Sequence, residues 1–161
     1  TTIDHRTNFV KSLDYPLTQQ EFDEIYSKVP RLTVEIIIKN DDDAIYLTKR
    51  SIEPCKGQWH LPGGTVRFGE PMQEAVKRIA KRELGITVID MTNIGYIEYP
   101  SHYDKGLDSP VGIVFEVSSY SGQLEPNREA QAGAWFSTVP EDMHADQDTF
   151  LVNNHYLSNK T

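Results

Sequence analysis

The residues most suited to chemistry lie in one stretch, Gly64-Thr65-Val66-Arg67-Phe68-Gly69-Glu70, which continues through Arg78 to Arg82-Glu83-Leu84-Gly85-Ile86. A glycine turn leads there into a run of helical spacing whose later turns carry acidic and basic groups. Such a strand–loop–helix can point backbone carbonyls and one carboxylate at a shared cation. Hard divalent ions such as Mg2+ take oxygen ligands and keep positions open for substrate phosphates. An ion held this way cancels phosphate charge and polarises bridging oxygens, which is what hydrolysis of a diphosphate needs. Histidine titrates near neutrality, so His60 and His102 also invite a general-base role. His60 falls in a strand beside Trp59 and reads as structural. His102 lies in a loop with Tyr99, Tyr103, Asp104 and Lys105 that could face a substrate. Trp59 and Trp135 read as core and strand anchors rather than as stacking platforms for bases.

The elements that must position these groups follow from the rest of the chain. A length of 161 residues suits one domain with a real hydrophobic core. The formal charge of −8 has the wrong sign for gripping a nucleic-acid polymer, although a metal or a few local cations can still neutralise a small anion. Cys55 is the only cysteine, which leaves no intrachain disulfide and no thiolate zinc cluster to expect. No apolar stretch reaches the roughly 18 residues that span a bilayer, and no signal-peptide pattern opens the chain, so the expectation is a soluble, cytoplasmic protein without a membrane partner.

Residues 1–16 are polar and irregular and read as an N-terminal extension to a domain over 17–161. Thr18 and Glu21 form a capping-box pattern, and Phe22, Ile25, Tyr26 and Val29 recur at helical spacing until Pro30. Leu32 to Lys39 predicts a strand with Leu32, Val34, Ile36 and Ile38 on one face. The acidic turn Asn40 to Asp43 leads to a return strand, Ala44 to Lys49. Pro71 to Leu84 predicts a helix, with proline in its first turn and Gly85 just beyond its end. Ile86 to Tyr99 and Val111 to Ser118 predict strands around a polar loop, Pro100 to Pro110. Ala134 to Ser137 predicts a short strand, and Asp146 can cap a final helix running through Phe150, Leu151 and Tyr156. Strands and helices mix without regular alternation, so the expected fold class is α/β in the α+β sense, a mixed sheet between flanking helices.

The stretch around Glu83 resembles the signature of the Nudix (MutT-like) hydrolases, G-x5-E-x7-R-E-U-x-E-E-x-G-U, where U is a bulky aliphatic residue. Gly64, Glu70, Arg78, Glu83, Gly85 and Ile86 match it; Ile79 and Arg82 stand at two positions that are acidic in the pattern, and Ala80 is small for its slot. The resemblance implies a Nudix fold and a divalent-metal-dependent hydrolase of nucleoside diphosphate derivatives. A guanidinium cannot bind a cation and repels one by roughly 1–4 kcal/mol at about 4 Å in wet surroundings. The depleted acidic face therefore predicts a single ion, Mg2+ or alternatively Mn2+.

Within the family the chain is nearest to the GDP-mannose mannosyl hydrolase branch, matched over Leu17 to Lys39 and at Lys49, Arg50, Trp59, Gly63 and Gly64. That resemblance implies that the Gly63 carbonyl and Glu83 hold the metal. It implies that Arg50 grips the diphosphate and steadies the leaving group, as a bidentate guanidinium can. Thr65, Arg67 and His102 are further substrate-contact candidates, and Gly64, Glu70, Arg78 and Gly85 brace the loop and helix. A third ligand or water activator is expected from Glu129, in the loop before Trp135. The branch has a glutamine followed by a histidine base there, where this chain has Glu129-Ala130. The missing histidine favours attack at phosphorus over attack at the sugar carbon. The preferred substrate is a nucleotide sugar, and a homodimer is implied by family likeness alone. The alternatives are a non-catalytic nucleotide-binding Nudix domain and a nucleoside triphosphate pyrophosphohydrolase. A P-loop phosphotransferase is excluded by the lack of a G-x-x-x-x-G-K-[ST] run.

Overall fold

The computed structural model describes residues 16–51, 55–124 and 132–160. Apart from Pro16, the expected N-terminal extension lies outside them, as does Glu129. Helix α1, Gln19–Tyr26, starts at the capping box: the Thr18 hydroxyl accepts from the Glu21 amide at 3.1 Å, and Glu21 accepts from the Thr18 amide at 2.9 Å. Each side chain satisfies an amide that the first helical turn leaves unpaired. The apolar run expected to bury this helix does so only in part. Phe22 is buried with Gln19, whereas Ile25 and Val29 are exposed.

Strands β1 (Arg31–Ile38), β4 (Gly63–Thr65), β5 (Thr87–Glu98) and β6 (Pro110–Ser121) form one sheet in the order β4-β1-β6-β5. β1 pairs in parallel with β6 and antiparallel with β4, setting Glu35 opposite Gly63 and Thr33 opposite Thr65. A second sheet, in the order β3-β2-β7, joins β2 (Ile45–Lys49) to β3 (Trp59–His60) and β7 (Ala132–Phe136). Helix α2, Met72–Leu84, packs Ala75, Val76, Ile79, Ala80 and Leu84 against Val34, Ile36 and Ile38 of β1. On the other face, Ile37 and Val114 meet Leu151 of α4, Ala145–Asn153. The result is a mixed α+β molecule with helices flanking the sheets.

Strand ends shift from expectation by one to three residues, and helix ends differ as well. Pro71 is the N-cap of α2 rather than part of its first turn; Gly85 ends the helix at φ 73°, where a residue without Cβ is unstrained. The last helix begins two residues early: His144, not Asp146, is its cap, since the His144 ring accepts from the Asp146 amide. Tyr156 lies beyond that helix. The polar loop after β5 contains a one-turn helix, α3 (Pro100–Tyr103), with proline at its start, too short for periodicity to announce.

Candidate active site

The glycine turn, the loop after it and α2 form one braced unit. Arg78 Nε donates to Glu70 Oε2 at 2.8 Å, and its Nη2 donates to Glu70 Oε1 and to the Thr65 carbonyl, each at 3.0 Å. Glu70 Oε1 also accepts from the Arg67 amide at 3.0 Å. The Arg78 guanidinium holds the Glu70 carboxyl below its usual range, with the Arg67 amide adding to the effect. This planar fork ties the helix to both ends of the loop, which a flexible ammonium could not do. Phe68, at the loop tip, is fully exposed.

The turn is too tight for any side chain. A Cβ on Gly63 would lie 2.3 Å from Glu35 Oε2 and 2.4 Å from the Val34 carbonyl, and one on Gly64 would lie 2.9 Å from Ile79 Cδ1. The apolar Ile79 that replaces an acidic residue of the signature thus packs under the turn. One helical turn further on, Glu83 is half-buried beside Arg82. Gly63 offers a carbonyl on a fixed backbone and Glu83 a carboxylate on a rigid helix, both of them oxygen donors. That chemistry fits a hard divalent cation rather than a soft one. Arg50, at the end of β2, exchanges backbone hydrogen bonds with Gln58 and Gly57 at 3.0 and 2.8 Å, which fixes where its side chain departs.

Across β1 from α2 lies a second cluster that the sequence reading did not assemble. Glu35 is buried among Thr33, Tyr99, Gly63 and Gly112. Its Oε1 accepts from the Tyr99 hydroxyl at 2.9 Å and from the Thr33 hydroxyl at 3.0 Å. Gln147 Nε2 donates to the Tyr99 oxygen at 2.9 Å, and Gln147 Oε1 accepts from the Leu61 amide at 2.7 Å. Burial lifts the Glu35 carboxyl to about 7, against the opposite pull of those hydroxyl donors. A carboxyl poised there can be a hydrogen-bond donor or an acceptor near neutral pH. A legible signal existed: a strand buried on both faces reads as a continuous apolar run, and Glu35 interrupts one.

The same cluster fixes His102, whose position the sequence left open. His102 Nδ1 contacts Asp108 Oδ1 at 2.7 Å, and its Nε2 lies 2.8 Å from His144 Nε2. Burial would depress the His102 ring, yet Asp108 and Cys55 together raise it to about 9. Asp108 is also gripped by Arg31, whose Nη1 donates to the Thr65 hydroxyl at 2.8 Å. Thr65, read as a substrate contact, therefore has its hydroxyl engaged by Arg31. Arg67 is half-buried in the loop, its amide engaged with Glu70. His60 Nδ1 contacts the Leu61 carbonyl at 2.8 Å, and burial drives its ring down to about 4, so it stays neutral under ordinary conditions.

The family model of the NUDIX domain matches residues 29–152, from the approach to β1 into the last helix. The chain belongs to the NUDIX family. Among relatives of this Nudix protein, the low-salt glycan biosynthesis protein Agl8 of Haloferax volcanii is 30% identical over 145 residues, covering 86% of this chain and 92% of that protein. The ADP-ribose pyrophosphatase of Methanocaldococcus jannaschii is 34% identical over 107 residues, covering 66% of this chain and 62% of that protein. The crystal structure of a MutT NUDIX hydrolase from Burkholderia pseudomallei superposes with a TM-score of 0.66 at 28% identity, covering 75% of this chain and 95% of that one. The protein is a Nudix hydrolase, of a family that acts on nucleotide derivatives with divalent metal ions.

Proposed function

We propose that this Nudix hydrolase uses Mg2+ to cleave a nucleoside diphosphate joined to a sugar. The observation that carries the reading is the pairing of Glu35 with Gly63 across β1 and β4. It sets a buried, hydrogen-bonding carboxyl beside the backbone proposed to hold the ion. A carboxyl able to donate or accept beside the diphosphate suits a sugar's hydroxyls, and the choice of a nucleotide sugar over a nucleoside triphosphate rests on two relatives. The glycan-biosynthesis relative and the ADP-ribose pyrophosphatase are both in keeping with a diphosphate bonded to a sugar.

In this reading the Gly63 carbonyl and Glu83 hold the cation, with Glu129 as the third group. The ion, when bound, neutralises the diphosphate and polarises its bridging oxygen. Arg50 steadies the charge that develops on the leaving group. Arg67 is a contact to the substrate's outer parts, and Glu70, Arg78, Gly64 and Gly85 keep the loop and helix in register; His102, with both ring nitrogens engaged by Asp108 and His144, is left out of the substrate contacts. With Ala130 in place of a histidine base, water attacks phosphorus, yielding a nucleoside monophosphate and a sugar phosphate. The expected state is a cytoplasmic homodimer. A screen of nucleotide sugars, dinucleotides and nucleoside triphosphates with Mg2+ in heavy-oxygen water tests the assignment. Label in a phosphate-bearing product from a nucleotide sugar supports it. Label on the free sugar moves the attack to carbon, and turnover of triphosphates alone refutes the substrate class.

A further inference from the structure

Cys55, His102 and His144 come from three separate segments: the turn after β2, helix α3 and the cap of α4. Their donor atoms nevertheless all lie within 4.8 Å of one another. His144 is buried, with 6% of its surface exposed, and Cys55 and His102 are half-buried. Asp108 backs the His102 ring at Nδ1, leaving Nε2 to face His144, and Arg31 holds Asp108 through Nε at 3.2 Å and Nη2 at 2.8 Å. A carboxylate behind a histidine fixes the ring and its tautomer, which is how metal-ligating histidines are supported.

We propose that Cys55 Sγ, His102 Nε2 and His144 Nε2 form a zinc site, distinct from the oxygen-donor site at the glycine turn, with a fourth position open to water or a small ligand. One thiolate and two imidazoles suit zinc and are poor ligands for Mg2+. A single cysteine excludes a cluster of thiolates, as the sequence indicated; it does not exclude this mixed set, which only the fold assembles. In the ion-free molecule a proton does the bridging, because two ring nitrogens 2.8 Å apart need one between them. With Zn–N distances of about 2.0–2.1 Å in a tetrahedral site, the nitrogens move to about 3.3 Å apart, an opening of about 0.5 Å. The displaced proton passes to His144 Nδ1, which gives up its 3.2 Å contact with the Asp146 amide, and the thiol proton goes to solvent. No redox change is involved. The ion would tie Cys55 to α3 and to the cap of α4.

Cobalt, which takes the same ligands and absorbs visible light, tests this directly. The full chain, freed of metal by chelation, is titrated with Co2+ and then with Zn2+ or excess Mg2+. One equivalent of Co2+ is expected to give tetrahedral visible bands and a near-ultraviolet thiolate-to-cobalt band, erased by Zn2+ and indifferent to Mg2+. Cys55→Ser should remove the thiolate band and weaken binding about 100-fold, and Asp108→Asn should weaken it about 10- to 100-fold. Glu83→Gln should leave the spectrum unchanged. Should Cys55→Ser fail to fold, His144→Gln serves instead, losing the tetrahedral bands. Absence of the thiolate band, its survival in both ligand variants, or its loss in Glu83→Gln overturns the proposal.

Discussion

Glu70 and Arg78 stand eight residues apart, and their ion pair closes one local loop. Glu35 meets Tyr99 across 64 residues, and Tyr99 meets Gln147 across 48. The first pair is complete once the loop and α2 exist. The second forms only when β1, the end of β5 and α4 have all assembled. Their surroundings differ to match: the side chains of Glu70 and Arg78 keep 15% and 21% of their surface, whereas Glu35 is buried. Local placement gives a brace that water can partly replace. Distant placement gives a group whose every partner is fixed by packing, so its loss is harder to repair.

Three measurements would break or sharpen this contrast. The largest effect belongs to neither cluster but to the group both serve in the proposed reading: Glu83→Gln should lower kcat by about 100-fold or more with an unchanged melting temperature. An unaltered rate would remove Glu83 from the catalytic set. Next, Glu35→Ala strands the Tyr99 and Thr33 hydroxyls and should destabilise the fold by about 2–3 kcal/mol in urea melts, against about 1 kcal/mol for Glu70→Gln. Equal losses would erase the distinction between local and distant construction. The smallest effect separates by pH. His60 is held near 4 in the folded chain, below its ordinary 6.5, so the unfolded chain takes up its proton first as pH falls. Stability from this group is complete above about 6.5 and is lost progressively down to about 4. At pH 4.5 His60→Gln should therefore recover on the order of 1–2 kcal/mol relative to its effect at pH 7.5. A pH-independent difference would show that the ring is more solvated than its place in β3 implies.

How much of this was readable in the chain follows the same divide. The capping box at Thr18, the strand of Val34 and Ile36 and the helix ending at Gly85 depend on neighbouring residues, and spacing exposes them; the Glu70–Arg78 brace is equally local and follows from the family resemblance. Asp108 and His144 carry no local signature of their role, because their partners arrive from other segments, and Glu35 shows only as a break in an apolar strand. His102 shows both sides: its loop was noticed, but only the fold supplies Asp108 on one ring nitrogen and His144 on the other. Gly112, within the strand expected from Val111, carries no local sign that the Glu35 side chain lies over it.

That last contact makes two substitutions interdependent. The atoms nearest a methyl group at Gly112 all belong to Glu35, at 2.8 Å for Cγ and Oε1, whereas one at Gly63 would also strike the Val34 backbone. Shortening Glu35 to alanine empties the space that forbids Gly112→Ala, so the double variant should be less damaged than the two single losses added together. No such relief exists at Gly63, where the obstacle is main chain. Of the two glycines beside the buried carboxylate, one can change in company and the other cannot change at all.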